Sequence, residues 1–260
     1  KPVLLLHGTP ASRITFAFAD EPARKLGVRA IAPDRPGIGL SDDQPNRGIL
    51  DYPHDIAELG DKLGLDSFSV LGWAGGGPYA LACGAVLADR VKAVAVVSGM
   101  APLEYVGSLE GFGRTERQAL RLTHVAPWIA KPFYRYLARL VRWQPGLAVT
   151  MIRHSLSPND QQLLGEPDPE QVMAFFLEAC RQGSRGVVLD YRLFTFPWGF
   201  EVEDLTVPVH IFHGDDDRTI PYRHAEILAE RIPGATLTTW HGEGHLALWR
   251  HATEVLEAIT

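Results

Sequence analysis

The 260-residue sequence predicts an α/β fold in which a mostly parallel sheet is flanked by helices and interrupted by an inserted block of helices. Short apolar runs bounded by Gly, Pro or Asp are typical of parallel strands that are buried on both faces. Amphipathic segments separate these runs, and strand–helix–strand alternation favours one parallel sheet. Hydrophobic residues make up 46% and charged residues 22% of the chain, which allows a full core and excludes the disordered class.

Residues 1–101 carry the first half of the predicted sheet. The strand-like apolar runs lie at residues 3–6, 28–32, 68–71 and 91–97. The amphipathic segments at 52–63 and 78–87 are predicted helices, because successive parallel strands need a crossover between them.

The middle of the chain, residues 102–196, has a different pattern. It contains no good strand run, it is rich in aromatic residues and Arg, and prolines punctuate it. These features predict several helices, for example at residues 115–125, 129–143 and 169–182. We interpret this block as a helical cap, or lid, over a site.

Residues 197–260 return to the first pattern. Strands are predicted at 207–212 and 235–240, and helices at 222–231 and 245–259. The predicted domain organisation is therefore a core of residues 1–101 and 197–260 with a cap of residues 102–196.

A glycine-rich turn follows the third strand-like run. Residues 72–76 read Gly-Trp-Ala-Gly-Gly and lead into an Ala-rich helix, which is the context of the G-x-S-x-G nucleophile elbow. Gly72 and Gly76 leave room for a strained residue at the apex, and Ala74 occupies that apex. A methyl group cannot attack a carbonyl, so this chain cannot form an acyl-enzyme there.

A candidate acid and a candidate base follow the last two strands. Asp217 lies just past a strand end, with Asp215 and Asp216 as rivals. His245 follows a short Gly-rich loop, a setting that suits a general base, whereas its rival His241 directly abuts a strand. The chain order of apex, acid and base matches the triad order of α/β-hydrolases and not that of chymotrypsin- or subtilisin-like enzymes.

Backbone N–H groups near the apex are candidate oxyanion donors. Gly75 directly follows the apex and supplies the first N–H. Thr9 is the candidate for the second, because Gly8 allows a sharp turn and Pro10 has no N–H. We interpret His7 as a structural residue that braces this loop.

Taken together, these motifs resemble the α/β-hydrolase superfamily, in the branch that includes proline iminopeptidases, epoxide hydrolases and cap-bearing bacterial esterases. Residues 7–10 resemble the HGxP oxyanion motif, and residues 34–41 resemble the D-R-P-G-x-G-x-S loop. Residues 72–76, Asp217 and His245 stand at the triad positions, and the family spacing Gly-x-x-Asp-x-x-x-Pro selects Asp217. The resemblance covers nearly the whole chain outside the cap. Members usually have two further strands before the one at the start of this sequence.

The resemblance implies a hydrolase of a small-molecule ester, lactone or amide through a Ser-His-Asp triad. Epoxide hydrolases and haloalkane dehalogenases use Asp at the apex and often have an aromatic residue next, whereas Gly75 here favours an original serine. We favour an engineered Ser→Ala replacement at Ala74 as the cause of inactivity. The alternative is a natural non-hydrolytic homologue that binds a ligand or acts without a covalent step.

Aromatic residues are the candidates for a substrate pocket between the sheet edge and the cap: Trp73, Trp128, Phe133, Tyr134, Trp143 and Phe176. A proline iminopeptidase would also need a carboxylate cluster in the cap, for which Glu170 and Glu178 are too few.

We expect a small-molecule substrate and no cofactor. Cys83 and Cys180 lie in no zinc-like pattern, so no metal is expected. The net charge of −6 disfavours nucleic acid, and no apolar run reaches the ~20 residues that a membrane span needs. The absence of a visible signal peptide predicts a cytoplasmic protein, although a leader removed before Lys1 would leave no trace. The sequence does not indicate the oligomeric state.

Overall fold

A computed structural model describes residues 1–105, 107–112, 114–165 and 169–260. Within them, six parallel strands form one sheet of order β2-β1-β3-β4-β5-β6. The strands are β1 (Pro2–Leu6), β2 (Arg29–Ile31), β3 (Phe68–Trp73), β4 (Val91–Val97), β5 (Val209–Gly214) and β6 (Thr236–Trp240). The predicted α/β fold with a mostly parallel sheet is confirmed, and the predicted strand ends differ by at most two residues.

The apolar runs of the sequence are explained by where the strands lie in the sheet. All six residues of β3 are buried, because β1 and β4 flank it and helices cover both faces. The edge strands β2 and β6 are partly exposed. The register pairs Leu6 with Gly72 and Trp73 with Val97, so the carboxyl ends of the central strands meet at one edge.

The helices that connect and cover the strands are α1 (Asp20–Lys25), α2 (Tyr52–Lys62), α3 (Gly77–Val86), α10 (Arg223–Arg231) and α11 (Leu248–Ala258). The first eight residues of α3 are all buried, which fits its small and apolar sequence. Since α3 directly follows β3, its N-terminus faces the same sheet edge as the strand's carboxyl end.

In the described residues between β4 and β5, the segment for which the sequence predicts the cap, there are six further helices. They are α4 (Arg114–Val125), α5 (Pro127–Trp143), α6 (Pro145–Ser155), α7 (Pro158–Leu164), α8 (Pro169–Ala179) and α9 (Arg185–Phe194). We call α4 to α9 the helical insertion. Prolines such as Pro145 and Pro158 start helices, where the missing N–H costs no hydrogen bond. Five residues of α5, α6 and α8 form a small apolar core of their own.

None of the helices in the described part of the chain is both long and apolar enough to cross a bilayer.

Candidate active site

The turn from β3 to α3 holds Ala74 in a left-handed backbone conformation, with φ of +52°. Such a conformation costs an L-residue on the order of 1–2 kcal/mol, so the surroundings must hold it in place. A Cβ on Gly72 would lie 2.4 Å from the carbonyl oxygen of Gly76, and a Cβ on Gly76 would lie 2.0 Å from that of Leu6. The two glycines are therefore a steric requirement of the turn, and the strained apex persists with alanine in it.

His245 and Asp217 lie in direct contact at the same sheet edge. Nδ1 of His245 lies 2.8 Å from Oδ2 of Asp217. The other carboxylate oxygen accepts the backbone N–H groups of Thr219 at 2.8 Å and Ile220 at 2.9 Å. These bonds fix the carboxylate, which in turn orients the imidazole and leaves its Nε2 for proton transfer.

Electrostatic interactions favour the charged forms of both groups. Burial disfavours the Asp217 carboxylate, but the attraction of His245 and hydrogen bonds from His213 and His245 hold the pKa of Asp217 well below its ordinary value. Burial also disfavours the His245 imidazolium, yet the charge and hydrogen bond of Asp217, together with the charge of Asp160, raise the pKa of His245. The pair is thus arranged to stabilise a protonated imidazole beside a carboxylate.

The rival acid and base form a separate pair at the surface. Nδ1 of His241 lies 2.8 Å from Oδ2 of Asp215, and the side chain of His241 is 85% exposed. Asp216 pairs with Arg218. The structure therefore brings only Asp217, of the three adjacent aspartates, to His245.

The loop after β1 lies against the turn at Ala74. A Cβ on Gly8 would lie 3.3 Å from the Cβ of Ala74, and one on Gly75 would lie 2.9 Å from Oγ1 of Thr9. Gly75 lies in the 3₁₀ turn Ala74–Gly76, which leads into α3. Gly75 and Thr9 therefore lie beside Ala74, as their predicted role as oxyanion donors requires.

His7 is buried below this loop and contacts only backbone in its two hydrogen bonds. Its Nδ1 lies 2.8 Å from the carbonyl oxygen of Gly8, and its Nε2 accepts the N–H of Arg35 at 3.2 Å. Burial, helped by the charge of Arg35, lowers the pKa of His7 well below its ordinary value. An uncharged ring that makes two hydrogen bonds to backbone groups fits the predicted bracing role.

A buried charge network that sequence reasoning missed supports the same loop. Asp190 on α9 accepts hydrogen bonds from Arg35, Arg47, Tyr79 and the hydroxyl of Thr9. Burial opposes its charge, but the two guanidinium groups outweigh that cost and hold the pKa of Asp190 well below its ordinary value. No local pattern in the sequence of α9 marks Asp190, because its partners lie 111 or more residues away along the chain.

An apolar cavity of about 440 Å³ lies between the sheet edge and the helical insertion. Gly8, Thr9, Ala74 and His245 line it on the core side, whereas α5, α6 and α8 supply mostly aliphatic side chains. Among the described residues that line it, none is Asp, Glu, Lys or Arg. Met151 on α6 lines the cavity and is 60% exposed.

The structure brings two of the six predicted pocket aromatics to this cavity and leaves four outside it. Trp73 and Phe176 line it. The prediction for Trp128, Phe133 and Trp143 is corrected, because these side chains are 67%, 56% and 80% exposed. On α5 the lining residues are instead Leu137, Leu140 and Val141, which share one helical face.

The fourth of these aromatics, Tyr134, lies behind the cavity wall. Its ring stacks on that of Tyr191 with a centroid distance of 5.5 Å, and it is Tyr191 that lines the cavity. Tyr134 therefore supports a lining residue instead of being one.

The residues considered for binding a substrate amine or a metal do not form such sites. Glu178 pairs with Arg13 at 2.9 Å and does not line the cavity, and the side chain of Glu170 lies outside the described residues. In the described ranges, no group of three His, Cys, Asp or Glu side chains is arranged to hold a metal ion.

A family model described as "alpha/beta hydrolase fold" matches residues 1–252, and the chain belongs to this family. Haloalkane dehalogenase 2 from Mycobacterium bovis is 38% identical over 96 residues, which are 36% of this chain and only 33% of that protein. Proline iminopeptidase from Saccharolobus solfataricus is 21% identical over 268 residues, covering 99% of this chain and 83% of that protein.

The solved structure of an esterase from Exiguobacterium antarcticum has the same fold. It superimposes with a TM-score of 0.75 at 22% identity and covers 99% of this chain and 91% of the esterase chain. The names of these three relatives span dehalogenation, peptide and ester chemistry, so family membership alone does not select a substrate.

Proposed function

We propose that this chain carries the site of a serine-type hydrolase for small, uncharged, apolar esters or lactones, with Ala74 at the position of the nucleophilic serine. One observation carries the proposal. The hydrogen-bonded pair of His245 and Asp217 lies at an apolar cavity whose lining includes Ala74 in the strained conformation of a nucleophile elbow.

With a serine at position 74, the mechanism would proceed by acyl transfer. The serine oxygen attacks the substrate carbonyl carbon while Nε2 of His245 takes its proton, and Asp217 stabilises the imidazolium that forms. The N–H groups of Gly75 and Thr9 bind the oxyanion, and His245 then protonates the leaving alcohol. Water, with His245 as its base, releases the acid. With Ala74 in place, the same cavity binds its ligand without a covalent step.

The substrate class follows from the cavity lining. Moving a cationic group from water into this cavity would cost several kcal/mol, because the described lining residues include no Asp or Glu to pair with it. A free amine, as in an iminopeptidase substrate, therefore fits poorly. The volume of about 440 Å³ lies within the range of small-molecule sites and suits an apolar acyl group of moderate size.

The decisive experiment is the Ala74→Ser variant tested on p-nitrophenyl esters of increasing acyl length. We expect the rate to rise by up to about 10⁶-fold, since loss of such a serine has an effect of that order. A fluorophosphonate probe should label the variant at position 74 and leave the Ala74 protein unlabelled. A matched Ala74→Ser, His245→Gln variant should lose the gained activity.

The proposal fails if Ala74→Ser is no faster than the Ala74 protein across esters, lactones and amides. Ala74 itself favours a second candidate, a binding protein or non-covalent enzyme built on the same cavity. Sequencing the natural gene separates the two. A serine codon supports an engineered replacement in an enzyme, and an alanine codon supports the non-covalent alternative.

A further inference from the structure

A buried carboxylate of the helical insertion binds the loop that carries His245. Asp160 on α7 is fully buried, and its two oxygens accept the backbone N–H groups of His245 and Leu246, each at 2.8 Å. The two bonds span 85 and 86 residues of sequence, so they connect the insertion to the core. Both bonds involve a charged acceptor, which makes them stronger than neutral hydrogen bonds.

The groups around this carboxylate are closely packed. A Cβ on Gly244 would lie 2.1 Å from Oδ2 of Asp160 and 2.3 Å from Oγ of Ser157, so only glycine fits beside it. Ser157 caps α7 by accepting the N–H of Asp160 at 3.1 Å, which fixes the helix end that presents the carboxylate. Asn159 donates to the carbonyl oxygen of Gly242 at 2.6 Å. The first turn of α7 therefore binds the loop at Gly242 and again at His245 and Leu246.

We propose that Asp160 is a positioning residue for the base, which sets the backbone of His245 and places a second negative charge near its imidazole. This inference rests on the proposed hydrolase function in so far as it concerns catalysis. Its geometric part concerns the chain as it stands, with Ala74 in place.

Two carboxylates reach His245 from different elements, and the ring of His213 lies 3.4 Å from one of them, Asp217. Asp217 faces it from the loop after β5, and Asp160 faces it from α7. Glu243 on the same loop as His245 pairs with Arg250. Burial lowers the pKa of His245, and the charges of Asp217 and Asp160 both raise it. The protonation of His245 therefore depends on a charge that the helical insertion supplies.

The experiment is an NMR titration of the His245 ring in the Ala74 protein and in its Asp160→Asn variant. We expect a lower pKa of His245 in the variant, because it loses a nearby negative charge, and faster hydrogen exchange at the amides of His245 and Leu246. Asn159→Ala is the matched control. It removes a neutral bond from the same helix to the same loop and should leave the pKa of His245 in place. An unchanged pKa of His245 in folded Asp160→Asn would overturn the proposal.

If Asp160→Asn does not fold, the Ser157→Ala variant tests the positioning role of α7 while the Asp160 carboxylate stays in place. It loosens the start of α7 and should speed amide exchange at His245 and Leu246; exchange that accelerates in α7 alone would contradict the proposed coupling.

In the Ala74→Ser background, Asp160→Asn should lower kcat by roughly ten- to a hundredfold with little change in KM, because misplacement of a catalytic group affects the transition state. An inactive Ala74→Ser protein would refute the hydrolase function, whereas the titration would still decide the role of Asp160. A kcat that stays unchanged in an active background would refute the catalytic part alone.

Discussion

Two buried carboxylates of the helical insertion hold the two loops beside Ala74, and they are stabilised in opposite ways. Asp190 binds the loop of Thr9 and is neutralised by the guanidinium groups of Arg35 and Arg47. Asp160 binds the loop of His245 and is held by backbone N–H groups. Both side chains are fully buried.

The difference predicts how much stability the loss of each carboxylate would cost. Removing Asp190 would leave two buried positive charges without their partner, which is among the most costly changes in a protein interior. Removing Asp160 would leave two neutral N–H groups unpaired, which costs less. We infer that charge pairing fixes the Thr9 loop, whereas hydrogen bonds to neutral backbone N–H groups fix the His245 loop.

The largest effect is expected from Asp190→Asn. The free energy of unfolding should fall by about 3–5 kcal/mol, because the variant removes the carboxylate and leaves two buried guanidinium groups without a charged partner. Urea denaturation followed by tryptophan fluorescence measures this change. A loss below about 1 kcal/mol would show that the network around Asp190 is not what fixes the loop.

A smaller effect on stability is expected from Asp160→Asn. Because an amide can still accept one of the two hydrogen bonds, the free energy of unfolding should fall by about 1–3 kcal/mol. The same denaturation experiment on both variants gives the comparison directly. If Asp160→Asn proves as costly as Asp190→Asn, the distinction between the two loops is wrong.

The pH dependence of stability should differ between the unchanged protein and Asp190→Asn. The pKa of Asp190 is lower in the folded chain than the value of about 3.9 expected when unfolded, so its contribution is complete above that value and declines as the pH falls through it. Melting temperatures measured from pH 7 to pH 3 should therefore fall less steeply in the variant. Some slope should remain, since the pKa of Asp217 is lowered as well. Equal slopes in the two proteins would show that Asp190 does not contribute to the loss of stability in acid.

What the sequence could predict depended on the range of the interactions involved. The turn at Ala74 was recognisable because Gly72 and Gly76 answer steric demands within a few residues. His245 could be proposed from its loop position and the chain order, and the family spacing was needed to select Asp217 from three adjacent aspartates. Asp160 and Asp190 could not, since their partners lie 85 or more residues away in sequence and no local pattern marks them.

The exposed aromatic residues show that amino-acid composition did not predict which side chains line the cavity. An amphipathic helix such as α5 shows in its sequence that one face is apolar, but not which neighbour covers that face. Trp128 and Trp143 lie in solvent, while the aliphatic Leu137 and Leu140 line the cavity. The aromatic content of the segment was therefore a poor guide to the binding surface.

The cavity lining bears on how the proposed site would select among substrates. Ala74 and His245 lie on one side of the cavity, whereas α5 and α6 supply aliphatic side chains such as Leu140, Met151 and Ile152. Contacts with aliphatic side chains depend on the apolar area that is buried and little on direction. The site would therefore select strictly at the reacting carbonyl and would rank acyl groups by the apolar area that they bury.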